Sequence, residues 1–458
     1  MIIQKFLIAA TFLLSTPVVL ADESSRNLNA DCQSFIAEIG SHYFYNWIEV
    51  PEMPNSNNMI SVFYYYKKAN TFKNPVIFFN GGPGYSSHNS PMSLEVAKIK
   101  FGGRTELNID FVYMDQRGTG CSTSFPVGAS AQSIEKLKWY GSAGIVTDAE
   151  ALRIKLIGEK KWKVFGQSYG SHVVHRYLKM FPTSIAKAYA HGYPEGPSDF
   201  DFSFSRIAAQ GVVLRSYLEN HASDRARLKA LNVYLSDRSK CFRNGTDEYC
   251  GFENLSPLIY LLGFRDNWDS FHAWLVSIVP TDTVAESGLK NFIEKLSTRY
   301  FFYHDLQKMD DSYLDHVSIA LNFLGIIDTN STPIDEEKCM AIYKKMETVY
   351  KIKQSDMLLN ECQAQVQFAF RDQLRAIISN RMTDEGSSLL RLEDIKSALT
   401  RNKIPFYLYS GGLDSFVPRD LFQLESKTLG SLVNYTNFSE SGHDGYVTEK
   451  KVLIDLAN

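Results

Sequence analysis

A strand-like segment, Lys161-Trp162-Lys163-Val164-Phe165, breaks at Gly166-Gln167-Ser168-Tyr169-Gly170, and a helix-like segment, Ser171-His172-Val173-Val174-His175-Arg176-Tyr177-Leu178, follows at once. This order constrains the fold more than any other stretch, because a buried strand must end, reverse sharply and enter a helix. The flanking glycines suit that reversal: with no side chains beside it, a serine can be held on a strained turn with its hydroxyl exposed. Ser168 is therefore expected at the top of a sheet, in the geometry of a nucleophile elbow. Alone, Gly-x-Ser-x-Gly is weak, since a chain this long meets it by accident roughly one time in eight. Its meaning depends on whether a base, an acid and an oxyanion hole accompany it.

The 458 residues allow one to three domains, with 44% hydrophobic and 22% charged residues as in an ordinary globular protein. A formal net charge of -3 gives no electrostatic reason to expect nucleic acid or an anionic membrane as partner. At the N-terminus, Lys5, the apolar run Phe6 to Leu20 and the small residues before Asp22 read as a signal peptide, residues 1–21, cleaved after Ala21. The apolar core is shorter than the about 20 residues a membrane anchor needs. The mature chain is thus expected to be secreted or periplasmic, with no membrane association. Export favours disulfides over metal ligation for Cys32, Cys121, Cys241, Cys250, Cys339 and Cys362. Six cysteines admit many pairings. Proximity favours Cys241 with Cys250 and Cys339 with Cys362, which leaves Cys32 with Cys121. No Cys-x-x-Cys or His-rich spacing suggests zinc, and no metal or organic cofactor is expected.

Residues 41–67 are rich in aromatic and β-branched residues and read as opening antiparallel strands. Val76-Ile77-Phe78-Phe79 then runs into Gly81-Gly82-Pro83-Gly84, and Phe111-Val112-Tyr113-Met114 into Asp115-Gln116-Arg117-Gly118-Thr119-Gly120. Continuous apolar strands of this kind indicate a sheet buried on both faces. A helix is expected from Thr147 to Ile157, with Asp148 and Glu150 near its positive end. Strands alternating with helices give an α/β fold with a mostly parallel sheet. From Phe200 to Arg401 the apolar spacing turns helical and strand-like runs are scarce. The strand pattern resumes at Ile404 to Ser410, with a helix at Arg419 to Thr428 and a last strand at Leu432 to Phe438. The expected organisation is therefore a catalytic domain in two pieces, 22–199 and 402–458, around an inserted helical cap, 200–401.

The resumed sheet supplies Asp414, in Gly411-Gly412-Leu413-Asp414, and His443, in Ser441-Gly442-His443-Asp444-Gly445. Loops beyond the carboxyl ends of parallel strands gather at one edge of the sheet, so Ser168, Asp414 and His443 should meet there. Serine is a poor nucleophile at neutral pH; His443 would take its proton, and Asp414 would hold the imidazole in the right tautomer. The N–H groups of Tyr169 and of the Gly81-Gly82 turn are the candidate oxyanion donors. His172 and His175 lie too close to Ser168 in sequence for the base. Asp444 and Asp420 are fallback acids. Asp115 and Arg117 are read as an ion pair or loop clamp, and Cys121 as a disulfide partner rather than a nucleophile.

With these residues in place, the chain resembles the proline iminopeptidases and their secreted tripeptidyl-aminopeptidase-like relatives, a branch of the α/β-hydrolase fold. The resemblance rests on Gly81-Gly82-Pro83-Gly84, Asp115-Gln116-Arg117-Gly118-Thr119-Gly120-Cys121-Ser122, the Val146-Thr147-Asp148-Ala149-Glu150-Ala151-Leu152-Arg153 helix, the elbow, and the Asp414 and His443 loops. It covers roughly residues 60–195 and 400–450. The chain departs from the family at Asn80, where a histidine is usual, and in a cap that carries no matching motif. The resemblance implies a serine aminopeptidase acting on a peptide with a free N-terminus, whose amine is met by acidic side chains. Glu195, just past a sheet strand, is the candidate for that contact; Asp266 and Asp269 in the cap are not ranked. A carboxylic-ester hydrolase using the same residues is the alternative, and a non-catalytic binding protein on this scaffold is a third reading.

Overall fold

The computed structural model describes residues 28, 30–82, 84–88, 90, 94–95, 97–98, 100, 107–124, 136, 138–195, 202–237, 239–244, 247–251, 258, 261–281, 283–294, 336–358, 362, 390–417 and 419–458. The expected leader, residues 1–21, and Pro83 lie outside them.

Eight strands form the main sheet: β1 (Tyr43–Pro51), β2 (Met59–Lys67), β3 (Pro75–Phe79), β4 (Asp110–Met114), β5 (Trp162–Gln167), β6 (Ile185–His191), β9 (Phe406–Gly411) and β10 (Val433–Phe438). A separate hairpin is made by β7 (Cys241–Asn244) and β8 (Asp247–Cys250). The order in the sheet is β1-β2-β4-β3-β5-β6-β9-β10. β2 runs antiparallel to both of its neighbours, and every pairing from β4 to β10 is parallel. This is the strand order and direction of the α/β-hydrolase fold. Because a parallel pair needs a crossover connection, each of these strands brings a helix or long loop across a face of the sheet.

The two-sided burial expected from the apolar runs is present, since every residue of β3, β4 and β5 is buried. Alternate side chains go to opposite cores. Ile77, Phe79, Val112, Met114 and Val164 join Ile145, Val146, Ala149, Leu152, Val173, Val174 and Tyr177 on one side. Val76, Phe78, Phe111, Tyr113 and Phe165 meet Phe35, Ile39, Leu94, Val452, Leu453 and Leu456 on the other. Disulfides join Cys241 to Cys250 and Cys339 to Cys362, the pairs that proximity favoured, and Cys32 to Cys121, the pair then left over. No helix among the described residues is long and apolar enough to cross a membrane.

The segment from 200 to 401 contains the helices Phe202–Asn220, Asp224–Leu235, Trp268–Ile278, Glu286–Ile293 and Glu336–Tyr350. Most of their apolar faces meet in cores of their own, one holding Val213, Tyr217, Leu228, Trp268, Phe271 and Leu289, another Ile207, Ile342 and Met346. Two details differ from the sequence reading. The short hairpin β7–β8 interrupts the helical run, closed across its base by Cys241–Cys250. The helix Leu392–Asn402 puts Ile395 and Leu399 into the core of the main sheet, so the sheet's own helical layer resumes before residue 402.

The helix expected at Thr147 begins at Ser142, which moves Asp148 and Glu150 out of its first turn. Asp148 is fully buried and accepts Arg117 Nε at 2.8 Å and Arg117 Nη2 at 2.5 Å. Its role is to neutralise a buried guanidinium rather than to complement the helix dipole.

Candidate active site

The elbow has the geometry its sequence demands. Ser168 stands between β5 and the helix Tyr169–Met180 with φ 54° and ψ −124°, a backbone state costly for any residue with a side chain. A Cβ on Gly166 would lie 1.9 Å from the Gly170 carbonyl oxygen, and one on Gly170 would lie 2.0 Å from that of Phe79. The turn therefore closes only with glycine at both places. The same closeness presses the end of β3 against the elbow: a Cβ on Gly81 would come within 3.1 Å of the Ser168 Cβ. The main chain of Gly81 thus lies beside the serine side chain, and Gly82 continues the turn with φ 113°.

Residues buried in the sheet bring His443 to the same place. The Ser168 N–H donates to the His191 carbonyl at 2.7 Å, and the next residue, Gly192, has a positive φ and packs under His443, whose Cε1 would be 3.2 Å from a Cβ there. Gln167 Nε2 donates to the His443 carbonyl at 3.4 Å. The imidazole Nδ1 is 2.8 Å from Asp414 Oδ2. Asp414 is itself fixed, its other oxygen accepting the N–H groups of Phe416 at 2.8 Å and Val417 at 3.0 Å. With Nδ1 donating to the carboxylate, Nε2 is left as the acceptor. Burial disfavours the charged imidazolium of His443, but the charge and hydrogen bond of Asp414 outweigh it and raise the pKa above the usual histidine value.

The glycines around these loops are sites of close main-chain approach. A Cβ on Gly411 would meet the Gly442 carbonyl oxygen at 2.2 Å, so the Asp414 and His443 loops lie directly against each other. A Cβ on Gly442 would meet the Gly263 carbonyl oxygen at 2.1 Å, which brings the segment between the helices Asp224–Leu235 and Trp268–Ile278 onto the His443 loop. Two neighbours of His443 carried no signal in the sequence. The Phe416 ring packs against its ring at 4.8 Å, and the Arg206 guanidinium, 5.1 Å above the Phe416 ring, faces His443 electrostatically.

Asp115 and Arg117 are loop clamps with separate partners rather than a pair with each other. Asp115, fully buried, accepts the N–H and hydroxyl of Ser87 at 2.7 Å each and the Cys121 N–H at 2.8 Å, with His88 Nε2 at 3.0 Å. It ties the loop after Gly81-Gly82 to the turn bearing Cys121. Arg117 donates to the Glu52 and Trp139 carbonyls as well as to Asp148. Asn80 Nδ2 donates to the Ser86 carbonyl at 2.7 Å, bracing the same loop from its other end.

Glu195 is buried, 7% exposed, and its carboxylate hydrogen-bonds His172 Nδ1 on the helix after the elbow. Its own N–H donates to Glu425 Oε2 at 2.8 Å, and Glu425 Oε1 holds His175 Nε2 at 2.8 Å. The two histidines set aside as bases are thus absorbed by buried carboxylates. Burial opposes the charge on His175, but Glu425 lifts its pKa to about 9. His191 is the opposite case. Burial, with His443 nearby, pushes its pKa down to about 3, and neither ring nitrogen has a hydrogen-bond partner among the described residues.

No protein-family model matches the chain. It is 31% identical over 122 residues to a proline iminopeptidase of Aeromonas sobria, a match covering 26% of this chain and 28% of that protein. A second proline iminopeptidase, from Xylella fastidiosa (strain 9a5c), is 33% identical over 132 residues, covering 29% of this chain and 32% of the other. The matched stretches span less than a third of the length of these relatives. Among solved structures, an acetylester hydrolase from Corynebacterium glutamicum superposes with a TM-score of 0.44 at 14% identity, over 92% of this chain and 98% of the other. A hydrolase from Pseudomonas aeruginosa PA01 gives 0.39 at 10% identity, over 90% and 98%. By its strand order the chain has the α/β-hydrolase fold, and over part of its length its sequence is similar to the proline iminopeptidases.

Proposed function

We propose that this protein is an exported serine exopeptidase that releases N-terminal residues from peptides, with proline the first residue to test, through an acyl-enzyme on Ser168. One observation carries the reading: an aspartate-oriented imidazole, His443, rests on Gly192, the residue next to the carbonyl that holds the Ser168 N–H. In this mechanism Ser168 Oγ attacks the scissile carbonyl carbon while His443 Nε2 takes the hydroxyl proton. Asp414 keeps Nδ1 protonated and stabilises the imidazolium. The N–H groups of Tyr169 and of Gly81 or Gly82 receive the oxyanion, Tyr169 from the positive end of its helix. The proton on Nε2 passes to the departing amine, and water then releases the acyl group by the same steps.

The peptide's free amine needs an acidic partner. Glu195 fills that role with the carboxylate oxygen that His172 does not hold, and the buried His172 keeps the acid in place. The engagement of Glu195 by His172 is also the observation that favours the second reading, a carboxylic-ester hydrolase, for which no amine site is needed. The catalytic domain is assigned to 22–199 and the segment after the cap, with the helix Leu392–Asn402 included because it packs on the sheet. Cleavage of residues 1–21 delivers the chain to an oxidising compartment, a reading that the three disulfides support.

The test compares a proline arylamide, a free tripeptide arylamide and a short p-nitrophenyl ester, with wild type and Ser168→Ala. Arylamide cleavage abolished in Ser168→Ala is expected. Ester turnover without amide cleavage would replace the peptidase reading by the esterase one, and undiminished activity in Ser168→Ala would end both.

A further inference from the structure

Two short sequence pairs in the segment between β6 and β9 face each other across a helix packing. His221 and Asp224 lie at the turn between the helices Phe202–Asn220 and Asp224–Leu235. Asp269 and His272 lie one turn apart on the helix Trp268–Ile278. The order is His-x-x-Asp on one side and Asp-x-x-His on the other. Packing sets them together: His272 Nδ1 is 2.7 Å from Asp224 Oδ2, His221 Nε2 is 3.7 Å from Asp269 Oδ1, and the two imidazole rings stack at 4.9 Å. The ligating atoms of His221, Asp224 and His272 all lie within 4.8 Å of one another.

We propose that these residues form a zinc site, with His221, Asp224 and His272 as ligands and Asp269 closing the fourth position. The donor set, two imidazoles and two carboxylates, suits tetrahedral Zn2+ rather than calcium or magnesium, which prefer oxygen alone. The surroundings are those of a held ligand. Asp224 is fully buried, and the Tyr217 hydroxyl donates to one of its oxygens while Arg227 Nη1 donates to the other at 3.1 Å. The Tyr217 ring stacks on His221 at 4.7 Å, fixing the imidazole plane. Such outer partners orient metal ligands and limit their motion. The opening to solvent lies at His272, whose side chain is 36% exposed, and at Asp269, whose side chain is fully exposed.

Competing explanations are limited among the described residues. Two other groups have metal-ligand proximity, His88–Asp115–Cys121 and Cys241–Glu248–Cys250, but their cysteines are consumed in disulfides. The group at His221 contains no cysteine. Without metal, the 2.7 Å contact of His272 with Asp224 is a plain hydrogen bond. Zinc would replace the shared proton, released to solvent, and part the two atoms by roughly 0.6 Å, from hydrogen-bond distance to the spacing of two ligands at ~2.05 Å from one tetrahedral ion. The bound ion would pin Asp224 to His272, 48 residues further on, and stiffen this part of the fold.

The test uses the whole purified chain, stripped with EDTA, titrated with ZnCl2 by calorimetry and with CoCl2 by visible absorption. One ion per chain, tetrahedral cobalt bands, and a melting temperature raised by zinc are expected. His221→Gln and His272→Gln should each weaken binding at least ~10-fold, while their metal-free melting temperatures show that the variants fold. Asp269→Asn should weaken binding with no change in the metal-free melt, because the residue is exposed. Absence of stoichiometric binding in the wild type would overturn the proposal, as would full binding in the double histidine variant. Arylamide and ester turnover play no part in the readout, so the outcome stands apart from that of the proposed reaction.

Discussion

His191 and His175 give the stability of this protein a pH dependence that can be worked out residue by residue. His191 is fully buried, its ring nitrogens have no hydrogen-bond partner among the described residues, and its pKa falls to about 3. In the unfolded chain it titrates near the ordinary value of 6.5. Below that value the unfolded state binds a proton that the folded state refuses, so stability is fully present above pH 6.5 and falls as the pH drops towards 3. At pH 5 the loss is about 2 kcal/mol relative to pH 8, a figure set by the unfolded pKa and almost independent of how far below 4 the folded value lies. His175, held by Glu425 at a pKa of about 9, has the opposite sign. Its contribution is complete below pH 6.5 and is lost as the pH rises through 9, by about 3 kcal/mol between pH 6 and 9. Urea unfolding of wild type, His191→Gln and His175→Gln at half-unit steps from pH 4.5 to 9 separates the two. The gap between wild type and His191→Gln should narrow on the acid side only, and that between wild type and His175→Gln on the alkaline side only. A gap for His191→Gln that is constant from pH 5 to 8 would refute the argument, since it would mean that water reaches the ring and the imidazole titrates normally.

Three further outcomes follow from the geometry. Asp414→Asn, which keeps the shape but loses the charge behind Nδ1, should reduce kcat by about 10^4-fold while the far-ultraviolet spectrum is unchanged; a loss below tenfold would assign the acid to another residue such as Asp444. Asp148→Asn leaves the Arg117 guanidinium buried without its counter-charge, so about 3–5 kcal/mol of stability should be lost in urea titration, and a loss under 1 kcal/mol would mean that water solvates the guanidinium. Replacing Cys32 and Cys121 by serine opens an 89-residue loop and should cost about 4–5 kcal/mol by chain entropy, read by calorimetry as a lower melting temperature; an unchanged melt would place the stabilisation elsewhere.

The sheet was legible because its central strands are buried on both faces and therefore written as largely apolar runs, which also marked the Ser168 and Asp414 loops; β10, which leads to His443, is only partly buried and carries no such run. What escaped was written in tertiary contacts. The helix is expected to start at Thr147, yet Gly144 belongs to it: a Cβ there would lie 1.9 Å from the Trp139 carbonyl oxygen and 3.0 Å from Arg117. A residue with low helix propensity was required by packing, and local signals pointed the wrong way. The partnership of His175 with Glu425, 250 residues apart, follows no spacing rule. Nor does the meeting of His221 with His272, since each pair reads locally as polar helix surface. The hairpin β7–β8 is too short to show a period, and only its terminal cysteines mark it.

The segment between β6 and β9 packs against the loops that carry Asp414 and His443. Leu413, adjacent to Asp414, is buried in a core made of Val213, Leu258, Phe271 and Leu289, all from that segment. Gly442, adjacent to His443, is pressed against the Gly263 carbonyl, and Arg206 reaches over Phe416 beside the imidazole. The loops bearing Asp414 and His443 are therefore gripped between the sheet on one side and the inserted helices on the other. A displacement of those helices by a fraction of an ångström must be passed on to Asp414 and His443, because close-packed side chains and glycine-to-carbonyl contacts leave no slack to absorb it. If Asp414 and His443 act as proposed, the inserted segment influences the rate. Enlarging Leu413 or Gly263 should then change kcat and KM together, unlike a change confined to a binding pocket, which would move KM alone.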